Sequence, residues 1–312
     1  MTTPANEDKW AVIYCRKEGA ALSSGKWKAI ERSLDKHGVS YEVMRPTPDT
    51  NAEAVAAQAV RQGYRTLIMV GGDSDFNLML NGIIASTPQG TELPVVGILP
   101  NGLFNDFARF WGMDESNHDS TIAAFAKGRV RPIDLGVCTF EQDGEKRVRY
   151  FHDCVNVGLA ALVANITYRT RRFWGIRIPA FATSALLLLF QRMEYKMQFT
   201  INWETVEKRA MTLCVGSGLG YGQTPSAVPY NGLLDVTMVS LPKVRQLMEG
   251  LWLLFTGRFL SHRNVMAWRT KKITFGSLGK AKVSLDGRIL GGGGIKHLSI
   301  GIREEHIRML LP

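Results

Sequence analysis

The stretch Thr66-Leu67-Ile68-Met69-Val70-Gly71-Gly72-Asp73 decides the fold. Leu67 to Val70 is unbroken apolar sequence, the pattern of a strand buried on both faces. Two glycines then let the chain turn sharply, and the spacing beyond them predicts a helix over Asn77–Ile84. The pattern recurs at Val95–Leu99, which runs into Pro100-Asn101-Gly102 and an expected helix over Phe104–Phe110. Working outward, Trp10–Tyr14 and Tyr41–Met44 read as strands. Trp27–His37, Ala52–Gln62 and Thr121–Ala126 read as helices, the first two closed by Gly38 and Gly63. Apolar strands alternating with helices predict a parallel sheet covered on both faces.

The pattern changes after Pro132. Strands are expected at Val148–Cys154, Gln198–Asn202, Arg209–Val215, Leu233–Val239, Lys272–Phe275, Lys280–Leu285 and Leu298–Ile302. Their succession predicts antiparallel β structure. Helical stretches interrupt them at Pro179–Arg192 and Leu241–Gly257. The boundary falls near 130–137, and the chain reads as α/β plus β.

Composition narrows the function. With 312 residues, 45% hydrophobic and 21% charged, the chain is neither disordered nor fibrous. Lys and Arg number 38 against 28 Asp and Glu, a net charge of +10 that calls for an anionic partner. The basic residues are scattered and form no nucleic-acid recognition motif, so no nucleic-acid partner is expected. Cys15, Cys138, Cys154 and Cys214 are far apart, which argues against zinc and for free thiols in a reducing compartment. The N-terminus lacks the apolar core of a signal peptide. The longest apolar run, Pro179–Phe190, has 12 residues, short of the roughly 20 a membrane helix needs. A cytoplasmic protein is expected.

Three loops offer chemistry. Gly71 and Gly72 lie where a parallel sheet binds ligands, at the carboxyl ends of its strands, ahead of a helix whose N-terminus suits phosphate. The same sequence also fits a plain strand-to-helix turn capped by Asp73. Asn105 or Asp106 in the second loop fits a helix N-cap, yet two such loops at one sheet edge point to a shared cleft. Asp286-Gly287 is the sequence of a type I′ hairpin turn. Neither GxxxxGK[ST] nor GxGxxG occurs.

Taken in order, these segments resemble the diacylglycerol kinase catalytic family of lipid kinases, which includes sphingosine and ceramide kinases and bacterial members. The family's GGDGTxNExxNG appears as Gly71-Gly72-Asp73-Ser74-Asp75-Phe76-Asn77-Leu78-Met79-Leu80-Asn81-Gly82. Its LPxGTGNDFAR appears as Leu99-Pro100-Asn101-Gly102-Leu103-Phe104-Asn105-Asp106-Phe107-Ala108-Arg109. Ile133-Asp134-Leu135-Gly136 and Asn156-Val157-Gly158-Leu159 follow. DGxLDV becomes Asn231-Gly232-Leu233-Leu234-Asp235-Val236, and DGE becomes Asp286-Gly287-Arg288.

The resemblance implies an N-terminal nucleotide-binding domain like those of NAD kinases and phosphofructokinases, over 1–134 with 303–312 returning to it. It implies a β-sandwich lipid-substrate domain over 135–302, with ATP in the cleft between. It assigns phosphate positioning to Gly71, Gly72, Ser74, Asp75, Asn77, Asn101, Gly102, Asn105 and Asp106. Asp73 and Asp286 become the catalytic candidates, as base or partner of Mg²⁺. Asp235 and Asn231 mark a structural cation site in which one expected Asp is Asn. Arg16 and Arg288 are candidate phosphate contacts. The implied reaction transfers the γ-phosphate of ATP to the hydroxyl of ceramide, a sphingoid base or diacylglycerol.

The departures from the motif are Ser74, Asp75, Leu78, Leu103, Phe104 and Arg288, and Cys15-Arg16 replaces an Asn-Pro. They leave a second reading, a member that binds nucleotide or lipid without transferring phosphate. Arg169, Arg171, Arg172 and Arg177 around Phe173 and Trp174, like the segment Leu247–Phe259, suit either a peripheral membrane surface or ordinary core with solvated arginines. Sequence leaves the oligomeric state open.

Overall fold

The computed structural model describes residues 6, 8–15, 23–102, 105–163, 193–240, 246, 249–250, 252–253, 256–291 and 294–312. Arg16, Leu103, Phe104, the Pro179–Arg192 stretch, the basic-aromatic patch around Trp174 and most of Leu241–Gly257 lie outside them. The chain divides into two units, Met1–Ile133 with Glu305–Pro312, and Asp134–Glu304.

In the first unit the strands are β1 (Trp10–Tyr14), β2 (Tyr41–Met44), β3 (Thr66–Gly71) and β4 (Val95–Pro100). They lie in the order β2-β1-β3-β4, all parallel. Ala11, Val12, Leu67, Ile68, Met69, Val70, Val96 and Ile98 are buried, as a sheet covered on both faces requires. The helices are α1 (Ser23–Lys36), α2 (Ala52–Arg61), α3 (Asp73–Ser86), α4 (Asp106–Phe110) and α5 (His118–Phe125). Asn51 starts α2 by accepting the Ala54 N–H at 2.9 Å, and its apolar stripe buries Val55, Ala56 and Ala59. The helices α2 and α3 cross closely at Gly82, where a Cβ would sit 2.2 Å from the Glu53 carbonyl oxygen.

The second unit is antiparallel. One sheet runs β12 (Val265–Thr270), β11 (Leu234–Val239), β10 (Thr212–Gly216), β7 (Cys154–Gly158), β14 (Val283–Leu285), β15 (Arg288–Ile289). The other strands are β5 (Val130–Gln142), β6 (Glu145–Phe151), β8 (Tyr195–Ile201), β9 (Glu204–Ala210), β13 (Lys272–Ser277) and the long β16 (Lys296–Leu310). Here β13 pairs with β8 and with the start of β16, β9 pairs with β8, and β5 forms a hairpin with β6. Strands of both sets contribute to one core, with Phe140, Phe151, Met197, Phe199, Leu213, Val236, Leu298 and Ile300 among its buried residues. This is the expected parallel-sheet domain followed by an antiparallel sandwich.

The differences from the sequence reading have local causes. Val148–Cys154 is two strands, because the chain breaks at His152-Asp153 and turns their amides to the Asp286 carboxylate. Arg209–Val215 divides at Met211 between β9 and β10. The sequence reading misses β5, and it misses the first part of β9 because Glu204–Arg209 carries almost no apolar alternation. Edge strand β12 was also missed. The expected strand Leu298–Ile302 and the closing segment are one fifteen-residue strand, β16. The helix α3 begins at Asp73, four residues before the expected start.

Candidate functional site

Two loops leave the carboxyl edge of the first unit's sheet together. Gly71 in β3 is aligned with Pro100 in β4, and the Asn101 N–H donates to the Gly71 carbonyl at 2.8 Å. A Cβ on Gly102 would lie 2.2 Å from Gly72 Cα, so the loops touch backbone to backbone. Only glycine permits that approach.

Side chains join the loops further. Asp73, 2% exposed, is the first residue of α3, behind Gly72 at the N-cap position. Its Oδ2 accepts the Asp106 N–H at 3.0 Å, across the two loops. The Asp106 carboxylate pairs with Arg109 at 2.6 Å. Burial pushes its pKa up, and the Arg109 charge opposes the rise. Asn105 stands at the N-cap position of α4, yet its Oδ1 turns back to accept the Gly102 N–H at 2.9 Å. Its Nδ2 donates to Glu115, which also pairs with Lys26. Asp75 closes the first turn of α3 by accepting the Gly72 N–H at 3.4 Å. Asn77 is buried under the loop and accepts from Asn81. Phe76 and Phe107 stack at 5.6 Å between ring centroids, packing α3 against α4. His118 Nε2 sits 2.9 Å from the Pro100 carbonyl, and burial lowers its pKa. No motif signal marked Glu115 or His118.

In the second unit, Asp286 and Gly287 form the tight turn of the β14–β15 hairpin, with φ of 44° and 85°. The Asp286 side chain points inward and is fully buried. Its Oδ1 accepts from the Asp153 and Cys154 amides at 3.2 and 2.9 Å, and its Oδ2 accepts from the His152 amide at 3.1 Å. His152 Nδ1 lies 2.9 Å from the same Oδ2, and that side chain is fully buried too. Asp153 in turn accepts the Gly220 N–H at 2.8 Å. His152 and Asp153 were not anticipated. Arg288 is half-buried beside the turn.

Asp235 and Asn231 each have partners within the chain. Both Asp235 oxygens are taken by the Arg269 guanidinium, at 2.6 and 3.2 Å, and hydrogen bonding to Asp235 raises the Arg269 pKa. Asn231 Oδ1 accepts the Leu233 N–H at 3.0 Å. Among the described residues no three His, Cys, Asp or Glu side chains are grouped to hold a metal. Asp235 and Arg269 also wall an open cavity of about 280 Å³ with Thr224, Thr237, Leu260 and Ala267.

A parallel α/β unit with two glycine loops and a buried aspartate at one sheet edge is followed in the chain by an antiparallel unit. Residues 9–138 match the diacylglycerol kinase catalytic domain, and residues 153–300 match the YegS C-terminal NAD kinase beta sandwich-like domain. The chain is 24% identical over 307 residues to the diacylglycerol kinase of Staphylococcus saprophyticus, covering 96% of this chain and 94% of that one. It is 20% identical over 307 residues to the diacylglycerol kinase of Staphylococcus carnosus, with the same coverage. A crystal structure of a diacylglycerol kinase from Bacillus anthracis aligns with a TM-score of 0.67 at 16% identity, over 98% of this chain and 97% of that one. The chain belongs to the diacylglycerol kinase catalytic-domain family of bacterial-type lipid kinases. No described helix is long and apolar enough to cross a membrane.

Proposed function

We propose that the protein is a lipid kinase that moves the γ-phosphate of ATP to the hydroxyl of a membrane lipid, drawn from diacylglycerol, ceramide and sphingoid bases. The observation that carries the proposal is the hydrogen bond from the Asp106 amide to Asp73, which locks a buried carboxylate between two glycine loops. Gly71, Gly72 and Gly102 bring backbone close to the phosphates, and the N-terminus of α3 presents amides and a positive dipole end to them. Asn77, Asn101, Asn105 and Asp106 hold the loops in place. Asp73 takes the proton of the attacking hydroxyl. Asp286, fixed by three amides and His152, is the second catalytic candidate.

Asp73, the first residue of α3, would be the candidate partner of Mg²⁺ bound with the nucleotide, and the ion would supply neutralising charge for the transferring phosphoryl group. Ser74, Arg16 and Arg288 are proposed phosphate contacts. A net charge of +10 supports peripheral attraction to an anionic membrane surface.

The test is transfer of labelled γ-phosphate from ATP to diacylglycerol, sphingosine and ceramide in mixed micelles. One labelled lipid establishes the activity and names the acceptor. Nucleotide binding with no labelled product from any acceptor favours a non-catalytic binder, the reading that Asp75 and Arg288 support.

A further inference from the structure

We infer that Arg269 stands in for the structural cation implied at Asp235, so that this region of the second unit is held by an internal ion pair and binds no divalent metal. The inference is independent of catalysis.

Its basis is the donor set. Asp235 and Arg269 face each other in register across β11 and β12. The guanidinium meets the carboxylate two-pronged, with Nε 2.6 Å from Oδ1 and Nη2 3.2 Å from Oδ2. That geometry gives a carboxylate charge compensation and direction together. Nη2 also donates to the Ser226 carbonyl at 3.3 Å, tying in the loop that carries Asn231. One side chain thus joins two strands and a loop, the work a bound ion would do.

The side chains around Gly232 have partners of their own. Asp134 Oδ2 accepts the Gly232 N–H at 2.7 Å. Glu304 pairs with Lys271 at 2.6 Å. Asn231 Oδ1 closes its own turn onto the Leu233 N–H. Mg²⁺ requires near-octahedral oxygen ligands and Ca²⁺ takes 6–8 of them. At Asp235 a divalent ion would meet a carboxylate already neutralised by the guanidinium pressed against it.

The experiment is thermal unfolding of the full-length chain in a chelator, in Mg²⁺ and in Ca²⁺, with metal analysis of the purified protein. The expected result is one Tm in all three and no stoichiometric divalent ion. A Tm that falls in chelator and recovers with Mg²⁺ or Ca²⁺ overturns the inference. Arg269→Met is expected to lower Tm by about 2–4 °C or more, and Arg269→Lys to recover part of that loss. An unchanged Tm for Arg269→Met overturns it as well. Should that variant fail to fold, the chelator response and metal content of the natural chain decide the question.

Discussion

Asp73 and Asp75 occupy the same helical turn and have opposite effects on an incoming nucleotide. Asp73 is buried and tied to the Asp106 amide, so Asp73→Asn keeps most of its packing and loses the proton acceptor. Lipid phosphorylation is expected to fall by about 10²–10⁴-fold, with Tm nearly unchanged; turnover at the natural rate would remove Asp73 from the chemistry. Asp75 spends its carboxylate on the Gly72 amide and places negative charge by the glycine turn. Asp75→Asn keeps an acceptor there and removes the charge. Calorimetric titration with ATP is expected to show affinity raised by about ten-fold, in line with one unit charge under partial screening. At this scale the sequence is legible for motif residues. It is silent on His152, Glu115 and Arg269, whose roles come from partners 134, 10 and 34 positions away.

Among elements, close approach and charge clamps set the geometry. Gly102→Ala puts a Cβ against the backbone of Gly72. It is expected to cost about 1–3 kcal/mol and to weaken nucleotide binding, both readable by denaturant titration with and without ATP. The helices α1 and α5 are joined by Asp119, which accepts from Lys36 and Ser33 and faces His37. Hydrogen bonds from Lys36 first, then Ser33, pull its pKa down to about 2. The folded value lies below the unfolded one of about 3.9. The stabilisation is therefore present above pH 4 and is lost as pH falls towards 2. Asp119→Asn is expected to lower Tm at neutral pH and to flatten the loss between pH 4 and 2; parallel acid curves for variant and natural chain would contradict it. Element type was legible wherever the apolar period was strong, as in β3, β4 and α2. It was not legible in β9, whose residues are mostly exposed and charged, nor in edge strand β12, whose identity comes from its pairing with β11.

For the whole molecule, the switch from alternating strands and helices to successive strands showed the change from parallel to antiparallel architecture. What stayed hidden was that the last two apolar segments are one strand, because polar Arg303, Glu304 and Glu305 lie between them, with Glu305 at φ 47°. The end of β16 buries Ile307, Met309 and Leu310 and aligns Met309 with Val96 of β4. Ending the chain at Glu304 removes these residues from the first unit. The shortened protein is expected to lose cooperative unfolding of that unit and much of its solubility, measurable by urea titration and by yield of soluble protein.

That return has a consequence for synthesis. The first unit is built from residues on both sides of the second, Met1–Ile133 before it and Glu305–Pro312 after it. The second unit's sequence, Asp134–Glu304, is complete before Glu305–Pro312 emerges. Domains generally fold as units as the chain grows, N-terminal first. Here that order is expected to reverse, with the second unit folding while the Met1–Ile133 segment still waits for its last strand.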